Sequence, residues 1–196
     1  MYKLSLNESK FLPHAACEIE FNYSQERGLV ITGENGLGKT TLLRKLWLKE
    51  EEPAVLIEQK SMDYFFDRTL FVFKKILFES QSEFIDKNLF QKLWQDFGLK
   101  NKEDRLLSQL SGGESQALKI IVGISRKVDW FYLDEPSQFL DQSRREVLKA
   151  LIQELRSMNK NLIIVEHDLS WIPERMQVTQ LILSNGIIQK GKEWIT

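Results

Sequence analysis

One stretch constrains this chain more than any other. The apolar segment Leu29 to Ile31 runs into Gly33-Glu34-Asn35-Gly36-Leu37-Gly38-Lys39-Thr40-Thr41 and then into a helical pattern through Leu42, Leu43 and Leu46. The spacing fits G-x-x-x-x-G-K-[ST], in the setting of strand, glycine loop and helix that this pattern requires. Glycines let successive backbone N–H groups turn inward onto a phosphate without interference from a Cβ, and the helix start adds its positive dipole end. Asn35, Gly36, Gly38 and Thr41 then belong to the cradle. Lys39 reaches the β- and γ-phosphates of a nucleotide, and Thr40 places a hydroxyl on Mg²⁺.

A second glycine-rich stretch, Leu110-Ser111-Gly112-Gly113-Glu114, lies in the middle of the chain and is followed by Asp134-Glu135. The large apolar run Trp130-Phe131-Tyr132-Leu133 reads as a buried strand that delivers both carboxylates at its C-terminal end, the edge where open α/β sheets bind ligands. Asp134 is placed to hold Mg²⁺ through its water shell. Glu135 is placed to orient and deprotonate the water that attacks the γ-phosphate.

Together these residues resemble the ABC ATPase family, and the resemblance extends over essentially the whole chain. It identifies the first loop as a Walker A loop, residues 110–114 as the signature, and Asp134-Glu135 as the Walker B pair. It implies that Gln59, after the apolar strand Ala54 to Ile57, senses Mg²⁺ and the attacking water, and that His167 in Ile163-Ile164-Val165-Glu166-His167-Asp168 is the γ-phosphate switch. It also makes Ser137-Gln138-Phe139-Leu140-Asp141 the D-loop, with Asp141 among the nucleotide-site residues. Phe11 stands where the family puts an aromatic ring against adenine. In such proteins the signature of one subunit closes over the Walker A loop of another. Ser111, Gly112 and Gly113 are then expected to bind the γ-phosphate across a dimer seam, at the start of a helix.

Three features depart from the family pattern. Ala117 follows Gln116 where transporter ATPases commonly carry arginine, Gln138 replaces a small D-loop residue, and Glu50-Glu51-Glu52-Pro53 stands in place of a glycine-containing hairpin. None removes a catalytic group. Glu166 before the switch histidine, with Glu114-Ser115-Gln116, resembles soluble relatives in ribosome recycling and DNA repair.

The expected fold is α/β, a P-loop NTPase of ABC type, with a mainly parallel core sheet flanked by helices, an N-terminal antiparallel β-subdomain and a helical signature subdomain. A single domain over 1–196 is expected. Residues 1–58 and 126–196 form its ATP-binding core and antiparallel part, and 60–125 the helical subdomain. Strands are expected at 29–32, 54–58, 129–133 and 161–165, with helices at 39–49, 114–125 and 142–157 and a helical insert over about 68–109. Ala16 to Phe21 alternates as a half-exposed strand, and Asn185-Gly186 between apolar runs reads as a terminal hairpin. Tyr64, Phe65, Phe66, Phe71, Phe73, Phe78, Phe84, Phe90, Trp94 and Phe97 crowd the insert; most are expected to fill its own core, and the alternative is an exposed aromatic patch that would fit a hydrophobic partner.

With 42% hydrophobic residues the chain can bury a full core, and 28% charged residues suit a soluble surface. A formal net charge of −1 gives no strong sign of nucleic-acid binding, and a single cysteine excludes an internal disulfide framework. No apolar run approaches a membrane span, and Asn7, Glu8 and Ser9 interrupt any signal-like start.

The first expectation is therefore a Mg²⁺-dependent ATPase subunit of an ABC transporter. It would work as a dimer, a homodimer by expectation, and be cytoplasmic and peripheral on the inner face of the membrane, where a separate transmembrane permease carries the substrate. The alternative is a soluble ABC ATPase that remodels a ribosome, DNA or protein complex. A nucleotide-binding regulator without turnover is disfavoured because Glu135 and His167 are both intact.

Overall fold

The computed structural model describes residues 2–5, 18–21, 28–58, 67–172, 178–184 and 187–194. In chain order the elements are β1 (Tyr2–Ser5), β2 (Glu18–Phe21), β3 (Gly28–Gly33), α1 (Lys39–Leu48), β4 (Ala54–Ile57), α2 (Leu70–Ser80) and α3 (Lys87–Asp96). These are followed by α4 (Gly112–Ile124), β5 (Trp130–Asp134), α5 (Gln142–Ser157), β6 (Asn161–Val165), β7 (Val178–Ser184) and β8 (Ile187–Trp194).

The six strands from β3 onward form one sheet in the order β4-β5-β6-β3-β7-β8, parallel except for the antiparallel pairing of β7 with β8. β1 and β2 pair antiparallel as a separate two-stranded ribbon. This is the α/β fold with a largely parallel core sheet that the strand and helix pattern predicts. From β3 the chain crosses to the edge at β4 and returns through β5 and β6, whereas β7 lies on the other side of β3. The reversal beside β3 is a topological switch point, where the carboxyl ends of parallel strands open a crevice. Registers of Ile31 with Val165 and of Asp134 with Val165 bring the ends of β3, β5 and β6 level at that crevice.

Both faces of the sheet are covered, which is why β5 is apolar throughout rather than alternating. On one face Leu29, Ile31, Trp130, Tyr132, Ile163 and Val165 pack with Leu42, Leu43 and Leu46 of α1. On the other, Val30, Phe131, Leu133, Leu162 and Ile164 join a larger core that contains Leu148, Leu151, Ile152 and Leu155 of α5 and the apolar side of α4. α4 lies close to the edge strand: a Cβ added at Gly123 would come within 2.3 Å of Ile57 Cδ1.

The expected insert resolves into two helices and two short 3₁₀ turns. Thr69 caps α2 by accepting Val72 N–H, and Asp86 caps α3 by accepting Asn88 and Leu89 N–H. Phe73, Phe90, Trp94 and Phe97 are buried, with Phe90 stacked on Trp94 at 5.3 Å and edge-on to Phe78 at 4.9 Å. Phe71 and Phe84 are exposed, whereas Tyr64, Phe65 and Phe66 lie outside the described residues.

α4 begins at Gly112, two residues before the expected start at 114. Ser111 and Glu114 form a reciprocal capping box, which draws both glycines into the first helical turn. β7 and β8 form the expected terminal hairpin with Ser184 opposite Ile187, and Asn185-Gly186 lie outside the described residues.

Candidate nucleotide and hydrolysis site

Three strand ends build the site. β3 ends at Gly33, where a Cβ would lie 2.4 Å from Leu183 O, so only glycine lets β3 turn off against β7. Gly36 and Gly38 then adopt left-handed conformations, with φ of 81° and 89°. Gly38 caps α1 without a side-chain hydrogen bond, and the N–H groups of the first helical turn, where Lys39, Thr40 and Thr41 sit, have no acceptor within the helix. Asn35 and Gly36 are exposed at the loop tip, with open space around Gly36. This backbone geometry can cradle an anion.

Lys39 is 5% exposed and folds over this loop, its Nζ donating to Gly33 O at 3.0 Å and Glu34 O at 2.8 Å. Burial holds its ammonium below the ordinary lysine range, and the Glu135 and Asp134 carboxylates pull it back up. An anion in the cradle would favour the charged form further.

Thr40 Oγ1 donates to both oxygens of Asp134, at 2.9 and 3.1 Å. Asp134 is buried, and burial pushes its carboxyl up; the Thr40 hydrogen bond opposes this, whereas Glu135 and Glu58 add to it. A hydroxyl and a carboxylate meeting below a phosphate cradle form an all-oxygen donor set that suits Mg²⁺, which is held by few protein groups and completes its shell with phosphate and water. The residues present therefore fit both the nucleotide and the metal.

Glu135 follows β5 with φ of 47° and donates its N–H to Val165 O at 2.9 Å. Its Oε1 lies 3.2 Å from His167 Nε2, and its Oε2 accepts Gln138 Nε2 at 2.8 Å. The structure therefore brings Lys39, Thr40, Asp134, Glu135 and His167 together at one crevice. Gln59 and Phe11 lie outside the described residues.

Ser111, Gly112 and Gly113 sit elsewhere in the chain, against the segment 137–141. A Cβ on Gly112 would lie 3.5 Å from the Phe139 side chain, and one on Gly113 would lie 2.6 Å from Phe139 O. Glu114 is buried beneath them, paired with Lys102 and approached by Arg105 at 3.8 Å. Burial pushes its carboxyl up, but hydrogen bonds from Lys102 and Ser111 hold it below the ordinary range overall. Asp141 caps α5, accepting Arg144 N–H at 2.9 Å, Ser143 Oγ at 2.9 Å and Arg144 Nη1 at 2.7 Å.

The contacts of Gln116 and Glu166 at this crevice emerge only in three dimensions. Gln116, 2% exposed, reaches from α4 to the carbonyls of Glu135 at 3.4 Å and Pro136 at 3.2 Å. Glu166, 3% exposed, accepts Ser137 N–H and Trp171 Nε1–H on one oxygen, each at 3.1 Å, and His167 N–H on the other at 3.0 Å. A polar residue inside the otherwise apolar face of α4 and a carboxylate at the end of an apolar strand were the available signals for both.

A parallel sheet of this order with a phosphate cradle at its switch point defines a P-loop nucleotide-binding protein. Within that class, the family model described as ABC transporter matches residues 17–138, more than half of the chain, and the chain belongs to that family. An ABC transporter ATP-binding protein of Pyrococcus furiosus is 32% identical, with 82% of this chain and 71% of that protein covered. Translation initiation factor RLI1 of Saccharomyces cerevisiae is 30% identical, covering 88% of this chain and 29% of that longer protein. The solved structure of an ATP-binding subunit of an ABC transporter shares the fold, with a TM-score of 0.67 at 18% identity over 84% of this chain and 78% of that one. ATP binding and, in general, ATP hydrolysis are properties of this family. No helix among the described residues is long and apolar enough to cross a membrane.

Proposed function

We propose that this chain is the Mg²⁺-dependent ATP-hydrolysing subunit of an ABC transporter, pairing with a second copy around ATP and driving a separate permease from the inner face of the membrane. The observation that carries this reading is the meeting of Lys39, the Thr40–Asp134 pair and the Glu135–His167 pair at the level ends of β3, β5 and β6. Bound MgATP would supply the reactive phosphoanhydride and the charge that neutralises its oxygens.

In this reading the N–H groups of residues 36–41 and Lys39 would hold the β- and γ-phosphates, with Asn35 at the loop tip, and Phe11 would supply the aromatic ring for adenine. Thr40 and Gln59 would ligate the metal, and Asp134 would hold it through water. Glu135 takes the proton of the attacking water, while Gln59 and His167 orient water and γ-phosphate. Ser111, Gly112, Gly113 and Asp141 of each copy complete the other copy's site. Residues 60–125 act as a helical subdomain against the core formed by 1–58 and 126–196. A groove of about 720 Å³ along the open edge of β4, lined by Trp47, Val55, Ile57, Lys119 and Val122, supports docking of a permease segment there.

Glu135→Gln keeps the shape of the side chain and removes the base. It is expected to bind ATP, lose most hydrolysis and accumulate as an ATP-bound dimer in size-exclusion chromatography with light scattering. Turnover comparable to wild type would reject the assignment of the base, and a strictly monomeric ATP-saturated form would reject the shared site.

A second reading is favoured by two features. The similarity to RLI1, together with buried Glu166 before His167, supports a soluble ATPase that remodels a ribosome, DNA or protein complex. Co-purification with ribosomes or DNA rather than with membranes would select it.

A further inference from the structure

A further carboxylate stands beside the Thr40–Asp134 pair. β4 runs parallel to β5 with Ile57 opposite Leu133, so Glu58 and Asp134 are the next residues at two neighbouring strand ends, and neighbouring strands lie about 4.8 Å apart. Ala54 and Leu56 pack with Trp130 and Tyr132 on the face of the sheet that α1 covers. The two-residue period of a strand therefore turns Glu58 and Asp134 toward α1 as well.

α1 meets them with two side chains one turn apart. Thr40 Oγ1 donates to both oxygens of Asp134, and Arg44, four residues on, donates its Nε–H to Glu58 Oε1. Among the described residues this is the one partner of Glu58, and Oε2 remains an open acceptor. The two carboxylates are close enough to act on each other: Glu58 pushes the Asp134 carboxyl up, and Arg44 pulls it down. Side by side they repel, and a cation at the Thr40–Asp134 pair would relieve that repulsion. Mg²⁺ keeps several of its waters, and groups that accept hydrogen bonds from a metal's own ligands tune its affinity.

We propose that Glu58 is a positioning residue of the metal site: held by Arg44 beside Asp134, it accepts a hydrogen bond from the water shell of nucleotide-bound Mg²⁺ and raises the chain's affinity for that cation. This rests on the reading of Thr40 and Asp134 as the groups that hold the metal. It makes α1 the common scaffold of both carboxylates, with Thr40 setting one and Arg44 the other.

The test is binding of ADP with a fluorescent ribose label, measured in saturating Mg²⁺ and again in EDTA, for wild type, Glu58→Ala, Glu58→Gln and Asp134→Asn. ADP has no γ-phosphate for residues 111–113 of a second copy to grip, so the lone chain gives the signal. Comparing the ratio of the two affinities between variants cancels cation binding to free nucleotide and isolates what the chain adds. Glu58→Ala is expected to lower that ratio by roughly tenfold, the lower end of the effect of removing a group that supports a metal's ligands, with affinity in EDTA no weaker than wild type. Glu58→Gln keeps an acceptor oxygen without the charge, and its ratio is expected to fall between the two. An unchanged ratio in both Glu58 variants while Asp134→Asn loses it would overturn the role of Glu58 and leave the metal site standing. Equal losses with and without Mg²⁺ in Glu58→Ala would also overturn it, by showing a packing defect in the phosphate loop. A wild-type ratio in Asp134→Asn would instead remove the metal site on which Glu58 acts.

Discussion

Glu166 accepts the backbone N–H of Ser137 at 3.1 Å, and so ties the strand end that carries His167 to the turn that carries Glu135. The two residues are far apart in sequence, and their contact makes the relative placement of His167 and Glu135 a property of one buried carboxylate. Trp171 Nε1, His167 N and the Ser137 side chain also hydrogen-bond to it.

Removing that carboxylate strands the donors gathered on it. Glu166→Ala is expected to lower unfolding free energy by about 2–4 kcal/mol, because each buried unsatisfied donor costs about 1–3 kcal/mol and partial relaxation recovers some of it. Urea denaturation measures this, and a loss below about 0.5 kcal/mol would show that the clasp carries little weight.

The same group makes stability depend on pH. Burial pushes the Glu166 carboxyl above its ordinary range, against the hydrogen bonds from Ser137, His167 and Trp171. The folded chain therefore holds this proton more tightly than the unfolded chain. The group's contribution to stability is complete below the ordinary carboxylate pKa and is lost as pH rises through the raised folded value. Relative to Glu166→Gln, which does not titrate, wild type is expected to gain stability between about pH 7.5 and about pH 4.5. Paired urea midpoints at the two pH values check this, and a gap that is constant or moves the other way contradicts it.

Gln116 couples the signature helix to the turn after β5. Gln116→Ala leaves the carbonyls of Glu135 and Pro136 without this donor and is expected to reduce kcat by roughly tenfold while ATP affinity stays near wild type. Equal losses in binding and turnover would point to a general packing defect instead.

Lys39→Ala removes the buried ammonium over the loop. Nucleotide affinity is expected to fall by roughly 10- to 100-fold, the scale of a hydrogen bond to a charged phosphate oxygen. Fluorescent-nucleotide titration reads this directly, and unchanged affinity would exclude the loop as the phosphate site.

Much of the core was legible from sequence because its signals are local. The glycine positions that need left-handed φ at 36 and 38, the apolar run of β5 and the stripe of α5 all act over a few residues. The start of α4 was displaced because the Ser111–Glu114 capping box outweighs the low helix propensity of Gly112 and Gly113.

Sequence alone determined the chemistry available at each strand end: a phosphate loop with its lysine and threonine, a pair of carboxylates and a histidine. Only the tertiary structure decided how these groups act on one another. It placed β3 between β6 and β7, levelled the three strand ends, brought the Thr40 hydroxyl onto Asp134 and buried Glu166 beneath Ser137. Those contacts join segments brought together by strand order and register, and strand pairing over such separations leaves no periodic trace in the residues it connects.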